Sequence, residues 1–352
     1  MQMKSTYLPV LTAVTCLILA GCNGGGQSQS EEKADAREVR LPGTRVEILD
    51  PEGLDLIDST ALVEDLAEGF TWAEGPLYVA DGDYLLFSDI PANRIIRWKE
   101  GEGATVYLTP SGYTGDPARQ PKNEPGSNGL LLDRDGKLVL CQHGERRIAR
   151  MLAPLSAPQP QFETIVDRYQ GKRLNSPNDA VYRNNGDLYI TDPPYGLDGR
   201  AGDTAREIPF HGVFRARPDG QVDLVTSEFD YPNGIAFSPD GGILYVAHSD
   251  GEHPKWMKYV LDEQGLVKTG SVFYEISEEE KKAAPGAPDG MKVNRNGYVF
   301  ASGPGGIWIF NPAGKPLARI YTGKLTSNCA FSTDEKTLYM TCHDHLYRIK
   351  LK

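Results

Sequence analysis

Six oxygen-bearing side chains recur along the chain at nearly regular intervals. They stand 54, 50, 55, 56 and 39 residues apart: Glu74, Asn128, Asn178, Asn233, Asp289 and Asn328. If each begins an equivalent strand around a ring, all six converge at one level, with two carboxylates and no lysine or arginine. Carboxylates this close repel each other unless a cation lies between them. The set of anchors therefore predicts a cation site.

Carboxylate and amide oxygens favour Ca²⁺, then Mg²⁺ or Mn²⁺, and no anchor offers the thiolate or imidazole that recruits Zn²⁺. Ca²⁺ is the expected ion, although such a site can exchange metals, Zn²⁺ included, according to supply. The alternative is that each Asn or Asp only caps a strand as a turn residue. That alternative accounts for Asn128-Gly129 and Asn233-Gly234 but not for Glu74, a poor turn residue at the same level.

Three histidines follow an anchor by fifteen residues, where a second strand should return to the same face: His143, His248 and His343. Histidine is the side chain most easily poised for proton transfer near neutral pH. The expected substrate contacts are Asn128, Asn178, His143 and His248. The alternative is that these histidines are ordinary residues at strand ends.

Short apolar runs separated by turn dipeptides predict the elements that position these residues. A glycine follows each of the first five anchors by eight residues, and Lys336 takes that place in the sixth repeat: Gly82, Gly136, Gly186, Gly241 and Gly297. Asn-Gly and Asp-Gly between apolar runs are strong hairpin signals, and no convincing helical pattern is present. The sequence therefore predicts an all-β fold, a six-bladed β-propeller with four-stranded blades over residues 41–352.

The sixth repeat ends with its third strand at Ile349, close to the last residue, Lys352. Its outer strand must then come from elsewhere in the chain, and residues 45–50 (RVEILD) alternate suitably. We predict that this N-terminal segment closes the ring, because closure leaves no open sheet edge between the first and last blades.

Charge and motif content exclude several classes of function. The chain of 352 residues has 48 acidic and 37 basic side chains, a formal charge of −11 and no basic stripe, so a nucleic-acid partner is not expected. P-loop, zincin, serine-hydrolase and zinc-ribbon motifs are absent from the sequence. Cys329 and Cys342 lie on the two arms of the last hairpin, where a disulfide is possible, but packed thiols are the expectation.

The first residues read as an export signal. A charged end at Lys4 and an apolar stretch to Ala20 precede Leu19-Ala20-Gly21-Cys22, which resembles the lipobox of bacterial lipoproteins. Residues 1–21 are expected to be removed and Cys22 to carry a lipid, which would be the only membrane contact; a plain signal peptide is the alternative. Asn23 then favours the periplasmic face of the outer membrane. Residues 22–40 read as a flexible tether.

Several ordered segments resemble the SMP-30/gluconolactonase/luciferin-regenerating-enzyme family over residues 70–345. They are Glu74-Gly-Pro76, Ser127-Asn-Gly129, Ser176-Pro-Asn-Asp179, Thr191-Asp-Pro-Pro-Tyr-Gly196, Pro232-Asn-Gly234, Phe237-Ser-Pro-Asp240 and Pro288-Asp-Gly290. The resemblance implies a six-bladed propeller with a divalent cation, commonly Ca²⁺, at the channel mouth. It assigns Glu74, Asn178, Asn233 and Asp289 as metal ligands and Asp289 as the catalytic acid/base.

One position departs from the animal members of that family. They carry an arginine that holds a sugar lactone two residues before the asparagine corresponding to Asn178, and this chain has Ser176 there. Cys141-Gln-His-Gly144 and Asp192-Pro-Pro-Tyr-Gly196 instead resemble the bacterial gluconolactonase branch.

The function expected from the resemblance is hydrolysis of a sugar lactone, a small-molecule substrate, by metal-polarised water attack. One alternative keeps the site but hydrolyses another ester or a phosphotriester, and another is a non-catalytic propeller that binds a glycan or protein around a structural metal. The long loops at 99–127 and 198–210 are expected to shape the cup above the metal. Trp72 and Tyr195 adjoin motif residues, and packing within the blades is the expectation for both.

Overall fold

The computed structural model describes residues 40–352, which form six antiparallel sheets arranged around a central channel. The predicted signal peptide, the lipid on Cys22 and the tether up to residue 39 lie outside the described residues. Within residues 40–352, no helix is both long enough and apolar enough to cross a lipid bilayer.

Two strands precede the first blade and four strands form each of the first three blades. The first pair is β1 (Thr44–Ile48) and β2 (Val63–Glu68), with a 3₁₀ turn between them (Pro51–Asp55). Blade one is β3 (Ala73–Val79), β4 (Tyr84–Asp89), β5 (Arg94–Lys99) and β6 (Gly103–Leu108). Blade two is β7 (Ser127–Leu132), β8 (Leu138–Gln142), β9 (Arg147–Met151) and β10 (Phe162–Val166). A small hairpin follows, β11 (Arg168–Tyr169) and β12 (Lys172–Arg173). Blade three is β13 (Ala180–Tyr182), β14 (Leu188–Asp192), β15 (His211–Ala216) and β16 (Val222–Phe229).

The remaining blades follow in chain order. Blade four is β17 (Pro232–Phe237), β18 (Ile243–His248), β19 (Lys255–Leu261) and β20 (Val267–Glu275). Blade five is β21 (Met291–Val293), β22 (Val299–Gly303), β23 (Gly306–Phe310) and β24 (Pro316–Thr322). Blade six is β25 (Thr326–Phe331), β26 (Thr337–Cys342) and β27 (His345–Lys350). The predicted all-β, six-bladed propeller is confirmed.

The helical content departs slightly from the expectation of none. The described residues contain one α-helix, α1 (Glu278–Ala283), between blades four and five, and two further 3₁₀ turns (Pro117–Arg119 and Arg200–Gly202). Ser277 and Glu280 cap α1 reciprocally in a capping box, a local signal that strand-based pattern matching passes over.

An N-terminal strand closes the ring, as predicted, but the prediction that residues 45–50 form this strand was wrong. β1, which overlaps the predicted 45–50 segment, pairs with β24 and becomes a fifth strand of blade five. The outer strand of blade six is β2, which pairs with β27.

Cross-strand side chains account for this choice of edge. The Arg45 guanidinium lies 3.4 Å from the centroid of the Tyr321 ring on β24, and the Tyr321 hydroxyl donates to Glu47 at 3.0 Å. On the other edge, Arg348 of β27 pairs with Glu64 of β2 at 2.7 Å. Alternation alone cannot separate two exposed sheet edges, because both offer unpaired backbone groups; the opposing side chains decide.

The hydrophobic core is divided into six clusters, one between each pair of neighbouring blades. Strand β4 shows why its sequence is apolar at consecutive positions. Leu86 packs toward blade two, whereas Leu85 and Phe87 pack toward blade six. Both faces of such a strand are buried, so alternate residues serve two different interfaces.

The three cysteines in residues 40–352, Cys141, Cys329 and Cys342, are buried free thiols. Cys329 and Cys342, for which the sequence allowed a disulfide, are therefore not bonded to each other. The expectation that these thiols are packed in the core is met. Burial raises the pKa of the Cys329 and Cys342 thiols to about 12, which makes both poor nucleophiles.

Candidate metal and active site

A cavity of about 620 Å³ opens at the channel mouth and collects most of the anchors. Five of the six line it: Glu74, Asn128, Asn178, Asn233 and Asp289. The structure therefore brings together all four predicted metal ligands, with the predicted catalytic residue Asp289 among them.

Irregular backbone at the start of the inner strands positions these side chains. The antiparallel register shifts within β3 just after Glu74, and similarly at the starts of β7 and β17. Bulges at strand ends bend the strand and redirect its side chains, here at the end where Glu74, Asn128 and Asn233 lie.

Glycine after an anchor permits a close approach rather than only a turn. A Cβ atom at Gly75, whose φ is +56°, would lie 2.1 Å from the carbonyl oxygen of Asn128, the next anchor around the ring. A Cβ atom at Gly234 would likewise lie 2.2 Å from the Asp289 carbonyl oxygen. The anchor-glycine pairs therefore let successive anchors pack tightly around the channel, which the turn interpretation of the sequence did not foresee.

Asn328, the sixth anchor, supports the cavity from behind. Its amide nitrogen donates to Glu74 Oε2 at 3.2 Å, and its Oδ1 accepts from the backbone of Cys329 at 2.9 Å. Asn328 thus fixes the carboxylate of Glu74, a positioning role that spacing alone did not reveal.

Burial of Glu74 changes its protonation. Burial raises the pKa of the Glu74 carboxyl to about 7, and the nearby Asp179 carboxylate adds to the shift. The Gly75 amide, 2.6 Å from Oε2, and the Asn328 side chain oppose it. The positive charge of Lys292 also lowers the pKa of Glu74 but does not offset its burial, so a further positive charge at the site would favour the charged carboxylate.

Asp289 shows the same imbalance more strongly. Burial raises its pKa well above the ordinary range, and the carboxylates of Glu74, Asp179 and Glu124 raise it further. Its Oδ1 is buried and has no hydrogen-bond partner among the described residues. A buried carboxylate oxygen without a donor is costly, so it marks a position where a ligand is needed.

The four ligand candidates fit a hard divalent cation. Two carboxyl groups and two side-chain amides offer oxygen atoms as ligands, and oxygen is the ligand atom that Ca²⁺ prefers. The Asn233 amide nitrogen donates to Ser249 Oγ at 3.1 Å, so its Oδ1 remains available as a ligand. A bound cation would relieve the mutual repulsion of Glu74 and Asp289 and satisfy Asp289 Oδ1.

The histidines chosen from the sequence lie around the cavity but are not all part of its wall. His143 is fully buried, and its Nδ1 lies 2.9 Å from Glu124, a residue of the wall. His248 is buried, and its Nε2 lies 3.3 Å from the backbone nitrogen of Asp230. His343 packs edge-on against Trp72 at 5.4 Å. The side chains of His143 and His248 therefore do not line the cavity, because each strand end turns them into the blade packing.

Trp72 and Tyr195 were expected to be packing residues, and both instead line the cavity. The two long loops also contribute as expected, with Lys122, Glu124 and Arg200 in the wall. Loop residues do not recur at the regular spacing that identified the anchors. The sequence therefore indicated which loops border the cavity but not which of their side chains line it.

Two other cavities differ in chemistry. A groove of about 1070 Å³ between blades one and two is lined by mixed charges such as Arg97, Asp135 and Lys137. A cavity of about 410 Å³ near the inner strands has mainly apolar walls around Asp179 and Lys292. Of these three cavities among residues 40–352, the channel-mouth cavity alone combines paired carboxyls with converging amides, which is why we take it as the functional site.

Comparisons with known proteins agree with this geometry. The family model described as "SMP-30/Gluconolactonase/LRE-like region" matches residues 72–344. A gluconolactonase of Zymomonas mobilis is 38% identical over 300 residues, covering 84% of this chain and 83% of that protein. Diisopropyl-fluorophosphatase of Loligo vulgaris is 25% identical over 300 residues, covering 81% of this chain and 90% of that protein. The solved structure of a gluconolactonase from Xanthomonas campestris has a TM-score of 0.74 and 29% sequence identity. The match covers 88% of this chain and 95% of that chain.

The family match spans more than half of the chain and contains all six anchors. Fold, ordered motifs and relatives lead to the same assignment. This chain belongs to the SMP-30/gluconolactonase/LRE-like family.

Proposed function

We propose that this protein is a metal-dependent lactonase that opens a sugar lactone, such as gluconolactone, in the channel-mouth cavity. The observation that carries the proposal is the convergence of Glu74, Asn178, Asn233 and Asp289 around the unpartnered Asp289 Oδ1. Similarity to gluconolactonases over most of the chain supports lactone hydrolysis at the level of the family and agrees with the predicted enzyme class.

The same four side chains would hold the cation, with Ca²⁺ as the first candidate. When bound, the cation would supply Lewis acidity toward the lactone carbonyl and stabilise negative charge on its oxygen. Asn128 lies beside them and would donate to an oxygen of the substrate. The half-buried cup limits the water around the substrate, which strengthens each of these polar contacts.

Asp289 is the residue we assign to proton transfer. It would take a proton from water as the water oxygen bonds to the carbonyl carbon. The ring C–O bond then breaks, and the proton passes to the departing ring oxygen, giving a hydroxy acid. Burial raises the pKa of Asp289, and a bound cation would favour its charged form, which is the form that can accept a proton.

Proton release from a panel of sugar lactones tests the reaction class. The full chain should release protons faster than spontaneous hydrolysis in Ca²⁺, and a chelator should remove the excess. The panel is followed in weakly buffered solution with a pH indicator, and re-added Ca²⁺ should restore the rate. If no lactone is turned over while Ca²⁺ still raises the melting temperature, the metal is structural and the lactonase proposal fails.

A second candidate keeps the same site but changes the ester. The similarity to diisopropyl-fluorophosphatase over 81% of the chain favours an organophosphate as the alternative substrate. These compounds belong in the same proton-release panel. The recessed cavity of about 620 Å³ argues against the third interpretation, a flat binding face for a glycan or protein.

For the N-terminus we propose export and lipid attachment at Cys22, with the mature protein held at the periplasmic face of the outer membrane. The support is the run Leu19-Ala20-Gly21-Cys22 after an apolar stretch. Intact mass measurement of the protein from bacterial membranes should show a chain that begins at residue 22 and carries added lipid mass. Cys22→Ala should abolish that mass and release the protein from the membrane fraction; an unmodified Cys22 in the wild-type chain would contradict the proposal.

A further inference from the structure

One side of the channel-mouth cavity is built from two loops that are fastened together. The loop before β7 carries Lys122 and Glu124, and the loop after β14 carries Tyr195 and Arg200. The backbone N–H of Lys122 donates to Asp198 Oδ1 at 2.7 Å. These two loops therefore form a single wall over the metal-ligand candidates.

Glu124 is the centre of this wall. Its Oε1 lies 3.2 Å from Nη2 of Arg200, and its Oε2 lies 2.9 Å from Nδ1 of the fully buried His143. Each carboxylate oxygen thus lies within ion-pair distance of a basic side chain, one of which is buried in the core. This places the negative charge of Glu124 beside the Arg200 guanidinium.

An aromatic stack supports the same guanidinium. The Cζ atom of Arg200 lies 5.5 Å from the centroid of the Tyr195 ring. Tyr195 stacks on Tyr231 at 5.9 Å with 25° between the rings, and Tyr231 stacks on His211 at 6.1 Å. A cation above an aromatic face gains electrostatic stabilisation, and a stacked ring has little freedom to move aside.

Ser176 has a different role from the arginine of the animal relatives. It is fully buried, its Oγ donates to the Pro193 carbonyl at 2.6 Å, and it accepts from the Gly196 amide at 2.9 Å. Ser176 therefore fixes the turn that presents Tyr195. The guanidinium that reaches the cavity comes from Arg200, on a different part of the chain.

We infer that Arg200 is the side chain that holds the lactone in this protein, with the Tyr195 ring as its platform and Glu124 as a positioning residue. The inference rests on the proposed lactonase function and names the substrate contacts within it. A guanidinium offers a planar fork of N–H donors, suited to two neighbouring hydroxyl oxygens of a sugar ring.

The charge arrangement indicates an uncharged polyhydroxylated lactone. Glu124 neutralises Arg200, and Glu74 with Asp289 would neutralise a divalent cation. The remaining charged side chain of the wall, Lys122, is exposed, so solvent screens its charge. Arg200 then acts as a hydrogen-bond donor more than as a net positive charge. A lactone that carries its own carboxylate would meet Glu124 and be disfavoured by like-charge repulsion.

The test compares Michaelis constants on gluconolactone and on a carboxylate-bearing lactone, the 1,4-monolactone of glucaric acid (glucarolactone), in Ca²⁺. Arg200→Ala should raise KM for gluconolactone about tenfold, the size expected for a lost charged hydrogen bond, with kcat changed much less. Glu124→Gln should lower the preference for gluconolactone over glucarolactone, because it frees the charge of Arg200. Loss of packing alone would not move that ratio. Arg295→Ala, which removes an exposed arginine paired with Glu335 at 3.0 Å, is the matched control and should leave both constants unchanged.

An unchanged KM in Arg200→Ala, an equal change in Arg295→Ala, or an unchanged substrate ratio in Glu124→Gln would each overturn the inference. Calorimetric binding of gluconolactam, which is not hydrolysed as a lactone, separates this result from the proposed function. Wild-type binding that weakens in Arg200→Ala would support the role of Arg200 even if no lactone is turned over. If the wild-type protein does not bind gluconolactam and turns over no lactone, both the inference and the proposed function fail.

Discussion

Asp289→Asn is expected to lower lactone turnover by at least about a thousandfold while the propeller stays folded. The substitution removes the group assigned to proton transfer and one of the two negative charges of the proposed cation site. It should not harm folding, because Asp289 Oδ1 has no hydrogen-bond partner among the described residues and its buried charge is itself unfavourable. The measurements are kcat on the best lactone substrate and the melting temperature without Ca²⁺.

A matched substitution controls for the loss of an aspartate elsewhere. Asp219 lies in an exposed turn, where its Oδ1 accepts from the Gln221 backbone at 3.0 Å, and an asparagine can make the same contact. Asp219→Asn should keep both turnover and melting temperature. Turnover close to wild type in Asp289→Asn would remove Asp289 from the mechanism.

The stability of the metal-free protein is expected to fall as the pH rises, and Ca²⁺ should reduce this pH dependence. In the absence of metal, burial raises the pKa of Glu74 to about 7 from an ordinary value of 4.5, and the pKa of Asp289 rises as well. The folded protein then binds more protons than the unfolded chain between these values. Stability is therefore full below about pH 4.5 and is lost as the pH rises through 7. For Glu74 alone the loss is on the order of 3 kcal/mol.

Thermal unfolding of the chelated protein from pH 5 to 8 measures this loss, and the same series in Ca²⁺ measures its relief. Ca²⁺ should stabilise the protein more at pH 8 than at pH 5, because bound metal favours the charged carboxylates. Asp192, whose pKa burial raises to about 7, lies outside the cavity wall and should leave a residual slope in both series. An equal Ca²⁺ effect at both pH values would contradict a cation held by Glu74 and Asp289.

The sequence was most informative where the fold repeats. A fixed offset between anchor and glycine indicated equivalent strands, and equivalent strands in a ring place their first residues together. This reasoning located Glu74, Asn128, Asn178, Asn233 and Asp289 correctly at one cavity. It could not show that Asn328 would turn behind Glu74, because a hydrogen bond between two anchors leaves no trace in their spacing.

Features outside the repeat were harder to predict. Alternation in β1 does not distinguish the two open edges, and the partners Tyr321 and Arg348 on the opposing strands account for which edge β1 and β2 each join. The wall residues Glu124 and Arg200 come from irregular loops whose paths depend on tertiary contacts. His143 and His248 have the right offset, but side-chain direction at a strand end depends on local twist, and both are buried.

The path of β1 also determines which end of the protein is free for attachment. Thr44 pairs with Thr322, and Thr322 Oγ lies 2.7 Å from Oγ of Thr326, where an inner strand begins on the face that carries the cavity. The described chain therefore enters the propeller at the edge of the cavity face. The C-terminal strand β27 runs from His345 on that face to Lys350 on the opposite one. An affinity tag or surface linkage at Lys352 leaves the cavity facing solution, whereas one joined directly before Thr44 would bring the support to the side from which substrate enters.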